Sequence, residues 1–319
     1  MQKQASIVVL DEGRLLEGGL DWGELATLGE LTSYPRTTSG QIIPRAAGAS
    51  IILTNKTPLS AETIAALPDL RFIGVLATGY NIVDTVAAQA CGIPVSNVPA
   101  YGTDSVAQHV FALILELTNR VGLHADAVAS GHWTASGEWC APCTRLTELG
   151  DLQLGIIGRG RIARRVAGIG RAFGLRVKLA SPSLPAGGEG LSPMDAVIAD
   201  SDILSLHCQL TPQTAEMVDS AFLRRMKKGS FLINTARGGL VNESDLAAAL
   251  SAGHLAGAAL DVLSVEPPPA DHPLCALPKC IVTPHVAWMG PRARRRLIEI
   301  TARNIRAFLD GDPINVVNA

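Results

Sequence analysis

Short apolar runs alternate with amphipathic stretches along nearly the whole 319-residue chain, and few folds accommodate that rhythm. Residues 7–10, 51–54, 72–76 and 94–97 read as strands, with helices at 60–67 and 83–91. A strand buried on both faces carries an unbroken apolar run, and parallel strands need a helical crossover between them. The pattern therefore predicts parallel sheets with helices on both faces. A second series follows at 155–157, 177–179, 203–207, 231–234, 257–260 and 281–283. Between the two, residues 105–121 place apolar side chains at 106, 110, 113, 114 and 117, the period of a long helix crossing from one unit to the other. Residues 291–308 read as a final helix. The expected fold class is α/β, with two doubly wound parallel-sheet domains.

Composition limits what such a chain can do. With 47% hydrophobic and 18% charged residues it can fill two cores and is not a disordered chain. A net charge of −2 gives no basic surface for nucleic acid. The N-terminal run "SIVVLDEG" meets acids at once, as a first strand does and a signal peptide does not, and no apolar run is long enough to cross a bilayer. Six cysteines in a chain this long make no disulfide framework, so the expected location is the cytoplasm. Cys140 and Cys143 have redox spacing but stand in a polar stretch without further metal ligands. Two loop cysteines are the preferred reading, and no metal site is expected.

The stretch "LGIIGRGRIARRVAGIGRAFGLRVKLASPS" carries the first chemical signal. Gly158 permits a tight turn out of a strand, and Gly160 lets the backbone approach a pyrophosphate. Arg159 lies between the two glycines, and the amides that open the next helix face anions. Ala163 takes the third position of the fingerprint. Where the next strand ends, an acidic residue would hold the ribose of NAD, and here Ser181 stands instead.

Three further stretches each set a charged residue just past a strand: Arg237 in "INTARGGLVNESDL", Asp261 and Glu266 in "AALDVLSVEPPP", and His285 in "IVTPHVAWMG". In doubly wound sheets ligands bind beyond the carboxyl ends of strands. Arginine, glutamate and histidine in succession behind a nucleotide fingerprint are hard to explain as packing.

On these motifs the chain resembles the D-isomer-specific 2-hydroxyacid dehydrogenases over essentially its full length. "NTARGG", "DVLSVEP" and "TPHVAW" match the family's signature regions, and "AYGTDSVAQHVFALILEL" its crossing helix. The N-terminal half is similar to the hydroxypyruvate reductase (glycerate dehydrogenase) branch. The resemblance implies a flavodoxin-like substrate domain, residues 1–102 and 284–319, and a Rossmann NAD(P)-binding domain, residues 103–283. It also implies an NAD(P)-dependent reductase that turns a small 2-keto acid such as hydroxypyruvate or glyoxylate into the D-2-hydroxy acid.

By the same resemblance Arg237, Glu266 and His285 form the catalytic triad. Hydride addition to a keto acid leaves charge on the carbonyl oxygen, which an imidazolium can protonate beside a carboxylate. Arg237 offers a planar fork to the substrate carboxylate and carbonyl. Thr103, Arg161, Ile162, His207 and Thr235 match cofactor-contact positions, and Asp261 the position near the nicotinamide ring. Thr78 and Gly79 in "ATGYN" match the loop that grips the substrate carboxylate, and Asn55 or Lys56 in "LTNKTPL" faces the same ligand. Trp139 resembles a residue that reaches the neighbouring subunit's cleft. Together with the extra apolar positions Phe111 and Leu115, it makes a homodimer the expected state. Gln209 and Gln108 depart from the family's common proline and glutamate. Arg292, Arg294, Arg295 and Arg296 read as a solvated helix face in preference to an anion site. Ser181, Ser183 and Arg159 favour NADPH over NADH narrowly, since the loop at 181–190 lacks a basic residue. The competing class is a nucleotide-sensing corepressor on the same fold, a binding protein that retains the triad.

Overall fold

In the computed structural model, which describes residues 4–319 apart from the Glu189 side chain, every paired strand is parallel to its neighbour. The chain divides into two units: Met1–Gly102 with Met289–Ala319, and Thr103–Trp288.

The first unit contains β1 (Ser6–Val9), β2 (Glu30–Ser33), β3 (Ile51–Thr54), β4 (Phe72–Val75) and β5 (Val95–Ser96), in the order β2-β1-β3-β4-β5. Its core follows from the apolar runs: Ile7, Ile51, Ile52, Phe72 and Ile73 have no exposed surface. The short helices Ala61–Ala65 and Thr85–Ala90 start where Ser60 and Asp84 accept the amides of Thr63 and Ala87. β2 escaped the sequence reading because "ELTS" alternates exposed and half-buried positions at a sheet edge. The other edge, β5, is covered by the tail, with Val317 N–H donating to Val95 O and Ser96 Oγ to Ile314 O.

The Pro291–Leu309 helix forms as expected, and Arg292 and Arg295 are exposed on it, but Arg294 and Arg296 are not part of the solvated face expected of them. Arg294 is buried and donates to the carbonyls of Met289, Arg14, Leu15 and Glu17. Arg296 donates twice to Tyr101 O. A guanidinium has five donors and can gather several carbonyls that an apolar side chain would leave unpaired.

The second unit contains β6 (Gln153–Ile157), β7 (Arg176–Ala180), β8 (Ile203–Leu206), β9 (Phe231–Asn234), β10 (Gly257–Leu260) and β11 (Cys280–Val282), ordered β11-β10-β9-β8-β6-β7. Strand order reverses at β6, between β7 and β8, and such a switch point is where doubly wound sheets take ligands. The helix expected at 105–121 spans Thr103–Asn119, and Arg120 ends it at φ 50° before a second helix, Val121–Ala129. Phe111 is not free to form the partner surface expected of it, and Leu115 is half-buried. Phe111 is buried and stacks on Phe173 at 5.3 Å, and Leu115 packs on the same core as Leu154 and Ile203. The division between units falls at Met289, not 284, because the turn through Val286 and Ala287 is hydrogen-bonded to Asp261. Among the described residues no helix is long and apolar enough to cross a membrane.

Candidate active site

The glycine turn leaves β6 under strong constraint. Gly158 has φ 133°, its amide donates to Ala180 O, and a Cβ there would lie 2.4 Å from His207 O, so only glycine fits. Gly160 is different: its backbone is ordinary, and a Cβ would meet nothing of the protein within 4 Å. The space in front of it is open to a ligand. Gly160 begins the Arg161–Ala172 helix with no side-chain cap, which leaves the first-turn amides directed outward. Ala163 has no exposed surface and packs in the sheet core, as the third fingerprint position requires. Thr235, just past β9, has a buried hydroxyl with no hydrogen-bond partner among the described residues. These residues fit a dinucleotide.

Around them, burial lowers the pKa of His207 to about 4, so its imidazole stays neutral, and Nε2 lies 2.8 Å from Ser205 Oγ. Burial pushes the neighbouring Cys208 thiol up to about 11, which removes it as a nucleophile. Ser181 is partly exposed, with its Oγ 3.2 Å from Ser183 Oγ. Lys178 is spent on Asp200 at 2.7 Å.

Three neighbouring strands, β9, β10 and β11, end in the loops that carry Arg237, Glu266 and His285. Asn234, buried at the end of β9, shapes the first loop: its Oδ1 accepts from Ala236 N–H and its Nδ2 donates to Arg237 O. Arg237 Nη1 donates to Ala236 O at 2.6 Å. Past β10 and β11, His285 Nδ1 donates to Glu266 Oε2 at 2.7 Å. Both side chains are about a third exposed or less, and Nε2 of His285 has no partner among the described residues. The bond at Nδ1 fixes the ring and turns Nε2 toward whatever binds.

His285 adopts φ 54°, a left-handed conformation that costs roughly 1–3 kcal/mol for a residue with a side chain. Asp261 sustains it. Its carbonyl accepts from His285 N–H, its Oδ1 from Thr283 Oγ1 and Val286 N–H, and its Oδ2 from Ala287 N–H. Burial alone would raise the Asp261 carboxyl, but bonds from His109, Thr283, Ala287 and Val286 hold it below the ordinary value. Both carboxylate oxygens of Asp261 thus serve the histidine turn. The sequence had suggested Asp261 for its place past a strand, without indicating this work.

In the first unit Asp11, at the end of β1, accepts the amides of Asn55, Lys56 and Thr57 and so shapes the loop expected to meet substrate. Its position at a strand end was the available signal. Thr78 spends its hydroxyl on Val98 O, while the amides of Thr78 and Gly79 have no acceptor among the described residues. Thr103 begins its helix and is half-buried. Trp139 is 88% exposed and lines an apolar cavity of about 340 Å³ with His124, Val128, Trp133 and Leu146, apart from the triad. Cys140 and Cys143 line the same cavity, and no group of metal-ligating side chains occurs among the described residues.

Residues 111–287, more than half of the chain, match the family model described as D-isomer specific 2-hydroxyacid dehydrogenase, NAD binding domain. A hydroxypyruvate reductase of Blautia hydrogenotrophica is 42% identical over 98% of this chain and 99% of its own. A glycerate dehydrogenase of Methylorubrum extorquens is 40% identical over 91% and 92%. The structure of a D-lactate dehydrogenase from Aquifex aeolicus, complexed with NAD and lactic acid, superposes with a TM-score of 0.85. It is 28% identical and covers 98% of this chain and 99% of that one. These relatives are named for enzymes, which does not favour a binding-only role.

Proposed function

The chain belongs to the D-isomer specific 2-hydroxyacid dehydrogenases, and from that premise we propose that it reduces a small 2-keto acid, hydroxypyruvate or glyoxylate, to the D-2-hydroxy acid. The observation that carries the reading is the 2.7 Å bond from His285 Nδ1 to Glu266 Oε2, which leaves Nε2 to act as an acid. A bound reduced nicotinamide supplies the hydride. Gly158, Arg159, Gly160, Arg161 and Ile162 would hold its pyrophosphate, Ser181 its ribose end, and Thr103, His207, Thr235 and Asp261 its remaining contacts. His285 gives a proton to the carbonyl oxygen as charge develops there. Glu266 stabilises the imidazolium, and Arg237 orients the carboxylate and polarises the carbonyl. Thr78 and Gly79 amides, with Asn55 or Lys56, are assigned to the substrate carboxylate. The test is loss of reduced-cofactor absorbance with a panel of 2-keto acids. No turnover with any of them would refute the reading.

NADPH is the favoured cofactor. An aspartate at 181 would accept from a ribose hydroxyl and repel a 2′-phosphate, whereas the Ser181 hydroxyl can donate to it. The wild type is expected to use NADPH with the higher kcat/KM, and Ser181→Asp to shift the ratio toward NADH by roughly tenfold or more. Wild-type preference for NADH, or an unmoved ratio in the variant, would count against this reading of the loop.

A homodimer with Trp139 at the partner's site is also proposed. The support is a concentration of exposed apolar side chains within residues 121–146: Val121, Leu123, Val128, Trp133, Trp139 and Leu146. Light scattering should give twice 33.4 kDa, and Trp139→Ala should raise the KM for keto acid. A fully active monomer would refute it.

A further inference from the structure

The loop after β10 carries Glu266 through residues 262–272 without a helix or strand to hold it. What holds it is a second carboxylate, remote in sequence. Glu243 opens the Glu243–Ser251 helix behind the cap made by Asn242. Its Oε1 accepts Ser264 N–H at 2.7 Å, and its Oε2 accepts the Ser264 hydroxyl at 2.7 Å and His272 Nε2–H at 3.0 Å. One side chain thereby fixes the loop two residues before Glu266 and six residues after it. His272 is buried, and its Nδ1 has no partner among the described residues, so the bond to Glu243 is what secures the ring.

The opposite side of the loop leaves no slack. A Cβ on Gly238 would come within 1.9 Å of the Leu263 carbonyl carbon and 2.3 Å of Ser264 N. Leu263 N–H in turn donates to Glu266 Oε1 at 3.1 Å, the oxygen not shared with His285. The placement of Leu263 and Ser264 therefore sets the placement of the Glu266 carboxylate. Burial alone would raise the Glu243 carboxyl, but the Ser264 amide and hydroxyl and the His272 ring hold it below its ordinary value. Glu243 thus remains an acceptor across the neutral range. The other titratable group close by on its helix, Asp245, is engaged by Ser220 N–H.

We propose that Glu243 is a positioning residue for the proton-donating pair: through Ser264 and His272 it fixes the loop that presents Glu266 to His285. The inference rests on the reading of His285 as the acid. It touches neither substrate nor cofactor, so its effect should pass entirely through Glu266.

The experiment is the pH profile of kcat/KM for keto-acid reduction in wild type, Glu243→Gln, Glu266→Gln and the double variant. A glutamine has one accepting oxygen, so its NH2 must face either the Ser264 amide or the Ser264 hydroxyl and His272, and the three bonds cannot all be kept. Glu243→Gln is expected to lose roughly 10-fold in kcat, with cofactor KM nearly unchanged, and to move the alkaline limb to lower pH. The double variant should be no worse than Glu266→Gln alone, because the path is already broken. Additive losses, or an unmoved limb in Glu243→Gln, would overturn the proposal. Should Glu243→Gln fail to fold, the contrast at 272 decides. His272→Gln keeps a donor and should retain the wild-type profile, while His272→Leu should move the limb; equal behaviour overturns the proposal. If Glu266→Gln itself leaves the limb in place, the acid pair is wrong. If it moves the limb and Glu243→Gln does not, only the positioning role is wrong.

Discussion

Replacing His285 by alanine is expected to reduce kcat for keto-acid reduction by roughly 10²–10⁴-fold, the usual contribution of a positioned general acid. The geometry sets both the size and the sign. With Nδ1–H committed to Glu266 at 2.7 Å, the proton available to a substrate is the one on Nε2, and it is present only on the imidazolium. Reduction should therefore weaken as pH rises and the ring loses that proton, while oxidation of the hydroxy acid should strengthen. Glu266→Gln keeps the shape but removes the charge that favours the imidazolium, so the alkaline limb should move to lower pH. Steady-state rates at saturating cofactor across the neutral range measure both effects. A His285→Ala variant within tenfold of wild type would remove the histidine from the chemistry.

Much of this arrangement was legible from the order of residues. β3, β9 and β10 lie where unbroken apolar runs placed them, because a strand covered on both faces has no polar position to blur its ends. The loops bearing Arg237, Glu266 and His285 follow directly, since chemistry in such sheets collects at strand ends. Other features had no local signature. β2 is an edge strand without an apolar run, and Arg120 interrupts a helix whose periodicity gave no warning. Phe111 resembled a contact with a partner until Phe173, far away in sequence, was found to cover it.

The groups that hold the candidate site are of this second kind. Asp261 takes in four hydrogen bonds from residues 283–287, the turn around His285, and Glu243 grips two points on another loop. Each reads in sequence as one more acid near a strand or a helix start. Those partners lie 21 to 29 residues away, and only the fold brings them together. A pattern of residue types can announce where chemistry occurs; what makes it rigid is decided by pairings that the pattern does not contain.

Arg237→Lys is expected to lower kcat/KM by about 10²-fold although the charge is kept, with both KM and kcat affected. The turn that carries this residue is built for an extended side chain. Asn234 locks residues 234–237 from both sides, and Arg237 Nη1 is already tied to Ala236 O at 2.6 Å. That bond uses one of five donors and holds the guanidinium plane, so the rest of the fork can meet two oxygens at once. A lysine in the same place is a mobile point charge. It would attract a carboxylate but could not hold it in register with the carbonyl, and orientation is what converts binding into rate. The loss should therefore divide between KM, from the weaker grip, and kcat, from the missing donor at the carbonyl oxygen. Cofactor affinity, followed by quenching of protein fluorescence, should stay near wild type. A variant with kcat/KM close to wild type would mean that Arg237 only completes its turn, and a collapse of cofactor binding would mean that it supports the nucleotide instead of the acid.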